Sequence, residues 1–285
     1  MIPVVVLVVG GVVAFLLAAG RRMIGASEPL DTERHERWIV RHAPRWLQRS
    51  IVGLDNRVVG GAVVGVTFVA IFMCALVVGW IFSTIEDERG FARWDMSAAE
   101  YGAEQASAAS TRVLDAFTQL GGTGYLLAVM ALLGVYHGVR RRDWGPAAYM
   151  AVVGIGVSAL NNGLKLLIDR DRPDIAQLSG YSSSSFPSGH TAAAAACWAA
   201  IALVAARDRS RTTRTLWSFA AIAIAVVVAA TRVLLGVHWV SDVIAGIFVG
   251  WTWFFVTTIV FGGRILRFAE PVDRIERDQA KQHRP

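Results

Sequence analysis

The chain has 285 residues, 54% of them hydrophobic, with a mean hydropathy of +0.47. Apolar residues this abundant, collected in runs rather than in stripes, exclude an ordinary soluble domain and indicate a membrane protein. The net charge of +6 says nothing about nucleic acid until the basic residues are placed relative to a bilayer; once placed, as below, they suggest no nucleic-acid partner.

Runs of about 18 or more apolar residues read as membrane spans. They predict seven, over roughly 2–20, 59–83, 122–139, 147–167, 190–206, 216–235 and 241–262. The first run has no basic residues ahead of it, and Arg21 and Arg22 follow it. That order favours a retained anchor over a cleaved signal. The segment 34–51 interleaves Trp38, Ile39, Trp46 and Leu47 with arginines and is interrupted by Pro44. It reads either as an interfacial helix on an anionic leaflet or as a solvated linker. Cys74 and Cys197 both lie inside apolar runs, as small core residues and not as a disulfide or thiolate site.

The loops set the expected orientation, because Arg and Lys collect in short cytoplasmic loops. Arg21 to Arg57, the triplet Arg140–Arg142, the turn 207–214 and the tail with Arg264 and Arg267 are basic. The segment 84–121 is acidic, with Glu86, Asp87, Glu88, Asp95, Glu100, Glu104 and Asp115. It reads as an outward connector or as a lid. Seven spans then leave the N-terminus outside and the C-terminus inside, in the plasma membrane. The resulting division is an anchor (1–20), a basic cytoplasmic segment (21–58), a helical core (59–262) and a cytoplasmic tail (263–285).

The outward hairpin between the fourth and fifth runs carries Lys165, Arg170, Arg172, Ser188 and His190, and the next outward turn carries Arg232, His238 and Asp242. Ionisable residues at the edge of a bilayer are costly and persist where they line a polar cavity or bind a ligand. Lys165 and Arg172 are seven apart, so a helix running up to Pro173 aims both along one face; the alternative is a snorkelling lysine and an interfacial arginine. Pro187 and Ser188 stand where a helix cap belongs, and Gly189 leaves room for a ligand beside the free amides of the first turn. His238 and Asp242, four apart, allow the carboxylate to hold one ring nitrogen and leave a lone pair on the other. Alone, that pair is equally a satisfied helix cap. Arg170 is expected to pair with Asp169 or Asp171.

The motifs Lys-x6-Arg-Pro (165–173), Pro-Ser-Gly-His (187–190) and Arg-x5-His-x3-Asp (232–242) occur in this order. Together they make the sequence resemble the type 2 phosphatidic acid phosphatase superfamily, over roughly residues 59–262. The resemblance implies an all-α, polytopic membrane helix bundle with a six-span core, preceded here by one extra span. It implies a lipid phosphatase in which Lys165, Arg172, Arg232, Ser188 and the Gly189 amide hold phosphate. His238 is then the nucleophile, Asp242 its orienting partner and His190 the general acid, with no metal or other cofactor. Thr231 departs from the serine usual before the arginine of the third motif. The implied partner is a lipid phosphate or pyrophosphate, of phosphatidic acid, phosphatidylglycerophosphate or polyprenyl type. Transfer of the phosphoryl group to a lipid or sugar hydroxyl, and a non-catalytic lipid-binding or transport role, stand as alternatives.

Overall fold

The structure, a computed structural model, describes residues 56–85, 87, 89–175 and 184–265, with side chains between 65 and 259. The expected anchor at 1–20, the interfacial segment 34–51 and the tail beyond Ile265 lie outside the described residues. Among the described residues there are eight α-helices and no strand: α1 (Asn56–Ser83), α2 (Asp95–Glu104), α3 (Ala108–Thr118), α4 (Thr123–Arg141), α5 (Gly145–Leu167), α6 (Gly189–Ala205), α7 (Arg211–Leu234) and α8 (Val240–Ile265). Short 3-10 turns, Gly90–Trp94 and Gln119–Gly121, precede α2 and follow α3.

The six long apolar runs of the core each became a helix. Local chemistry explains several ends: Pro146 stands in the first turn of α5, and the Ser210 hydroxyl accepts from the Thr213 amide at 3.2 Å to cap α7. Four helices are long and apolar enough to cross a bilayer: α1 from Gly65, α5, α7 and α8 to Ile259. A fifth crossing results if α3 with its 3-10 turn and α4 act as one span bent by 48°. The count of six therefore stands as six helices in the expected places, not as six full-length spans. The exception is α6, 17 residues long. Its alanine-rich surface is buried against α5, α7 and α8, and a helix enclosed by protein need not match the thickness of the hydrocarbon layer.

Large side chains face outward along the crossing helices, among them Phe68 on α1, Leu132 on α4, Ile155 on α5 and Phe219 on α7. In water such a surface would aggregate; in lipid it is the expected exterior. The two arginine-bearing turns meet at one end of the bundle, where Arg141 pairs with Asp208 and Arg207 reaches Asp143 at 3.0 Å. The residues of the three motifs lie at the other end, separated by the 23 residues of α5, about 34 Å of helix.

Small residues decide how closely the central helices approach. Gly246 and Gly250 follow Asp242 at four-residue intervals on one face of α8, and a side chain at Gly250 would meet the Ala192 carbonyl oxygen at 2.3 Å. Glycine at both sites lets the α8 backbone rest on α6, as small-residue faces do in bilayers. The contact carries up to the motif end, where the Ser188 amide donates to the Asp242 carbonyl at 3.1 Å. On another face Trp253 fills the notch at Gly156 and donates its indole N–H to the Val153 carbonyl at 3.0 Å.

Within the acidic segment the chain folds into α2 and α3. Helix α2 lies so close to the end of α7 that a side chain at Gly102 would meet the Leu234 carbonyl at 2.8 Å, and one at Gly121 would meet the His190 carbonyl at 2.8 Å. Substituting Gly250 with valine should cost about 1–3 kcal/mol or more, because the obstacle is backbone and cannot rotate away. A lower apparent Tm in detergent, followed by tryptophan fluorescence, checks this. Gly163→Ala, which meets nothing within 4 Å, should leave Tm unchanged or raise it.

Candidate active site

Three chain segments build the site. The first leaves α5 earlier than the sequence suggested. The helix ends at Leu167, and Ile168 turns to extended backbone (φ −124°, ψ 101°). The Ser184 hydroxyl donates to the Ile168 carbonyl at 2.6 Å, and the residue before Pro173 is disfavoured in a helix. Lys165 thus sits on the last helical turn and Arg172 on an extended strand of chain. They still converge: Lys165 Nζ donates to the Ser184 carbonyl, and Arg172 Nη2 lies 3.4 Å from the same oxygen.

The second segment, residues 184–190, leads into α6. Ser188 is its N-cap residue, with Gly189 and His190 as its first two positions. The Ser188 side chain makes no capping bond; its oxygen accepts from Thr191 Oγ1 at 3.0 Å, and the residue is fully buried. A methyl group at Gly189 would sit 3.0 Å from the Asn161 amide nitrogen, so a side chain here would press on Asn161.

The third segment joins α7 to α8. Arg232 occupies the last turn of α7, 2% exposed, with Nη1 donating to Thr118 Oγ1 at 3.1 Å. The Arg232 carbonyl accepts from the Val237 and His238 amides, both at 3.2 Å, and so closes the turn around Gly236 (φ 66°). His238 precedes α8 and Asp242 lies in its first turn. Nδ1 of the imidazole is 3.3 Å from Asp242 Oδ2. That oxygen also accepts from the Trp239 amide at 3.0 Å and from the Ser185 hydroxyl. With Nδ1–H donated to Asp242, the lone pair rests on Nε2, which lies 3.4 Å from Arg172 Nη1. Thr231, in place of the usual serine, donates its hydroxyl to the Val228 carbonyl at 2.7 Å, and its methyl is buried.

His190, half-buried, feels the charges of Arg232, His238, Arg172 and Lys165 together. The predicted cations and both histidines therefore share one cup. Arg170 differs from expectation. It pairs with neither Asp169 nor Asp171 but with two distant carboxylates: Nη2 donates to Asp95 Oδ2 at 2.8 Å, and Nη1 to Asp242 Oδ1. Asp169 and Asp171 are exposed, where water competes with any ion pair. The buried carboxylates have no such alternative. Sequence reasoning also missed Ser184, Ser185, Ser241 and Thr118, all of which bond to site residues. The serine run gave a weak compositional signal; Thr118 gave none. Among the described residues, no three His, Cys, Asp or Glu side chains group closely enough to hold a metal ion.

Burial pushes the His238 imidazole down to about 4, with Arg172 and Arg232 acting in the same direction against the hydrogen bond and charge of Asp242. The ring is neutral at physiological pH. A neutral imidazole with one nitrogen tied down, close to three cations, has the lone pair and the surroundings that attack on an anion requires.

The model of the PAP2 superfamily matches residues 145–265, which contain all three motifs. Phosphatidylglycerophosphatase B of Bacillus subtilis (strain 168) is 35% identical over 161 residues, covering 55% of this chain and 78% of that protein. This chain belongs to the PAP2 superfamily. Another PAP2 relative, the lipid A 1-phosphatase of Rhizobium johnstonii, is 40% identical over 125 residues, 40% of this chain and 47% of the relative. The crystal structure of a transmembrane PAP2 type phosphatidylglycerolphosphate phosphatase from Bacillus subtilis superposes with a TM-score of 0.61 at 29% identity. It covers 65% of this PAP2 chain and 92% of the other.

The electrostatics are open to direct measurement. In protein labelled with 15N-histidine, His238 should remain the neutral Nδ1–H tautomer from pH 8 down through pH 5 and take up a proton only near pH 4. An imidazole titrating near 6.5 would contradict its burial among cations.

Proposed function

We propose that this PAP2 protein is an integral-membrane lipid phosphatase that cleaves a phosphomonoester or pyrophosphate of a lipid through a phosphohistidine on His238. The observation that carries the reading is the single cup in which Lys165, Arg172 and Arg232 surround His190 and the Asp242-held imidazole. Lipid phosphatases among the relatives support the substrate class.

Nε2 of His238 attacks phosphorus, and the bond from phosphorus to the leaving oxygen breaks. Burial and the surrounding cations hold His190 neutral before substrate binds; a phosphate monoanion brings in the proton that His190 takes up and delivers to that oxygen. Water then attacks phosphorus as His190 takes up one of its protons; the new phosphorus–oxygen bond forms, the phosphorus–nitrogen bond breaks, and inorganic phosphate leaves with His238 neutral again. The chemistry asks the protein to hold dispersed negative charge and to neutralise a leaving alkoxide. Lys165, Arg172 and Arg232 serve the first need, with the Gly189 amide and Ser188 hydroxyl beside them, and His190 the second. Asp242 fixes the tautomer and supports the charge that His238 acquires when phosphorylated. In this reading the side-chain cations do the work for which other phosphoryl-transfer enzymes use magnesium.

A cup at one end of a lipid-faced bundle suits an amphiphile whose chains stay in the hydrocarbon while its headgroup reaches the cations. The arginine-bearing turns, tied together at the opposite end, support an extracytoplasmic site by the positive-inside rule. By the same rule they support a C-terminus in the cytoplasm, as in a plasma-membrane protein whose site faces outward.

His238→Ala should insert and fold yet release no phosphate from a panel of lipid phosphates in detergent. Wild-type and variant turning over alike would refute the assignment. Arg172→Gln should lower kcat/KM by about 100-fold to 1,000-fold, the usual cost of one donor to a developing charge. Vanadate, a mimic of five-coordinate phosphorus, should inhibit at concentrations well below the substrate KM. Turnover should survive excess chelator and need no acceptor alcohol, which separates hydrolysis from metal-assisted cleavage and from phosphotransfer.

A further inference from the structure

Asp95 begins α2, in the outer acidic segment, 75 residues before Arg170 and 146 before Ser241. Its carboxylate is buried and every contact it makes leads to the site. Oδ1 accepts from the Ser241 amide at 2.9 Å; Oδ2 accepts from the Ser241 hydroxyl at 2.6 Å and from Arg170 Nη2 at 2.8 Å. Arg170 Nη1 donates to Ser241 Oγ at 2.8 Å and to Asp242 Oδ1. The guanidinium carbon stands 5.5 Å from the centre of the Trp239 ring. One guanidinium thus spans two buried carboxylates, with a single carboxylate on each terminal nitrogen.

We infer that Asp95 is a positioning residue for hydrolysis, acting through Arg170 to keep Asp242 turned toward His238. The inference rests on the reading of His238 as nucleophile. A guanidinium beside a lone carboxylate favours the two-pronged pair, in which both oxygens face the fork. Such a pair would draw Asp242 Oδ2 away from His238 Nδ1 and the Trp239 amide. Asp95 prevents it by occupying Nη2, so that Arg170 has one nitrogen for Asp242 and takes only Oδ1. Oδ2 then stays with the imidazole, and Nε2 stays aimed into the cup. The outer helix α2 is in this way part of the catalytic apparatus, although it contributes no group to the phosphate site.

The test uses the full-length protein in detergent micelles with dioleoyl phosphatidic acid as substrate. Asp95→Asn should lower kcat by about 10-fold to 100-fold, the cost of a misaligned attacking group. KM should be unchanged, because the phosphate-holding cations are untouched, whereas vanadate should bind more weakly in step with kcat, since it mimics the five-coordinate phosphorus that Nε2 must reach. Turnover is counted per vanadate-binding site, so that unfolded protein does not register as lost kcat. The 15N signals of His238 should change from a single tautomer to a mixture. Asp95→Glu should restore most of the turnover. In an Arg170→Gln background Asp95→Asn should bring no further loss, since the two act in series.

Wild-type kcat and tautomer in Asp95→Asn, beside an inactive His238→Ala, would overturn this inference alone. A loss that multiplies with that of Arg170→Gln would do the same. Full activity in His238→Ala would overturn the inference together with the phosphohistidine reading.

Discussion

A carboxylate with no exposed surface is stable only if donors saturate it, and Asp242 has found them from four directions: Arg170 on Oδ1, and His238, the Trp239 amide and Ser185 on Oδ2. Each donor comes from a different stretch of chain or a different kind of group. Meeting that one requirement therefore draws together the end of α5, the approach to α6 and the start of α8. The imidazole is aligned as a by-product of burying the acid. Its tautomer and the direction of its lone pair follow from where the carboxylate sits, while its neutrality comes from burial and from Arg172 and Arg232, against the pull of that carboxylate.

The same site must hold cations that repel one another. Lys165, Arg172 and Arg232 are kept near each other by neutral acceptors: the Ser184 carbonyl for the first two, the Val237 carbonyl for Arg172 at 2.7 Å, and the Thr118 hydroxyl for Arg232. Carbonyl and hydroxyl oxygens stabilise a cation without cancelling its charge. Arg170, paired with two carboxylates, is the cation withdrawn from this set. In the proposed reading Arg170 braces the protein, and Lys165, Arg172 and Arg232 serve the phosphate.

Helix packing sets how accurately these groups meet. Asp242, Gly246 and Gly250 share a face of α8, and their contact with α6 brings the Ser188 amide onto the Asp242 carbonyl. A larger residue in that stripe would separate the Ser188 end of α6 from the His–Asp pair. The glycines far down the helix and the chemistry at its top are therefore one structural problem. Lipid-facing surfaces elsewhere in the bundle carry no comparable constraint.

The sequence by itself determined the apolar runs, and with them six core helices near their expected places, because the hydropathy of a run is a local property. It also determined the motif residues, since Lys165, Arg172, His190, Arg232, His238 and Asp242 are too costly at a membrane edge to be there without a partner. Only the tertiary structure decided who the partners are. Asp95 looks no different from Glu100 in the sequence, yet burial makes it one end of an ion-pair chain while Glu100 stays exposed. Arg170 has an aspartate on each side, and near the surface water makes those neighbours worth little. Two carboxylates at least 72 residues away, shielded from water, win instead. Charge pairing inside a protein is governed by dielectric and distance in space, and neither can be read along a chain.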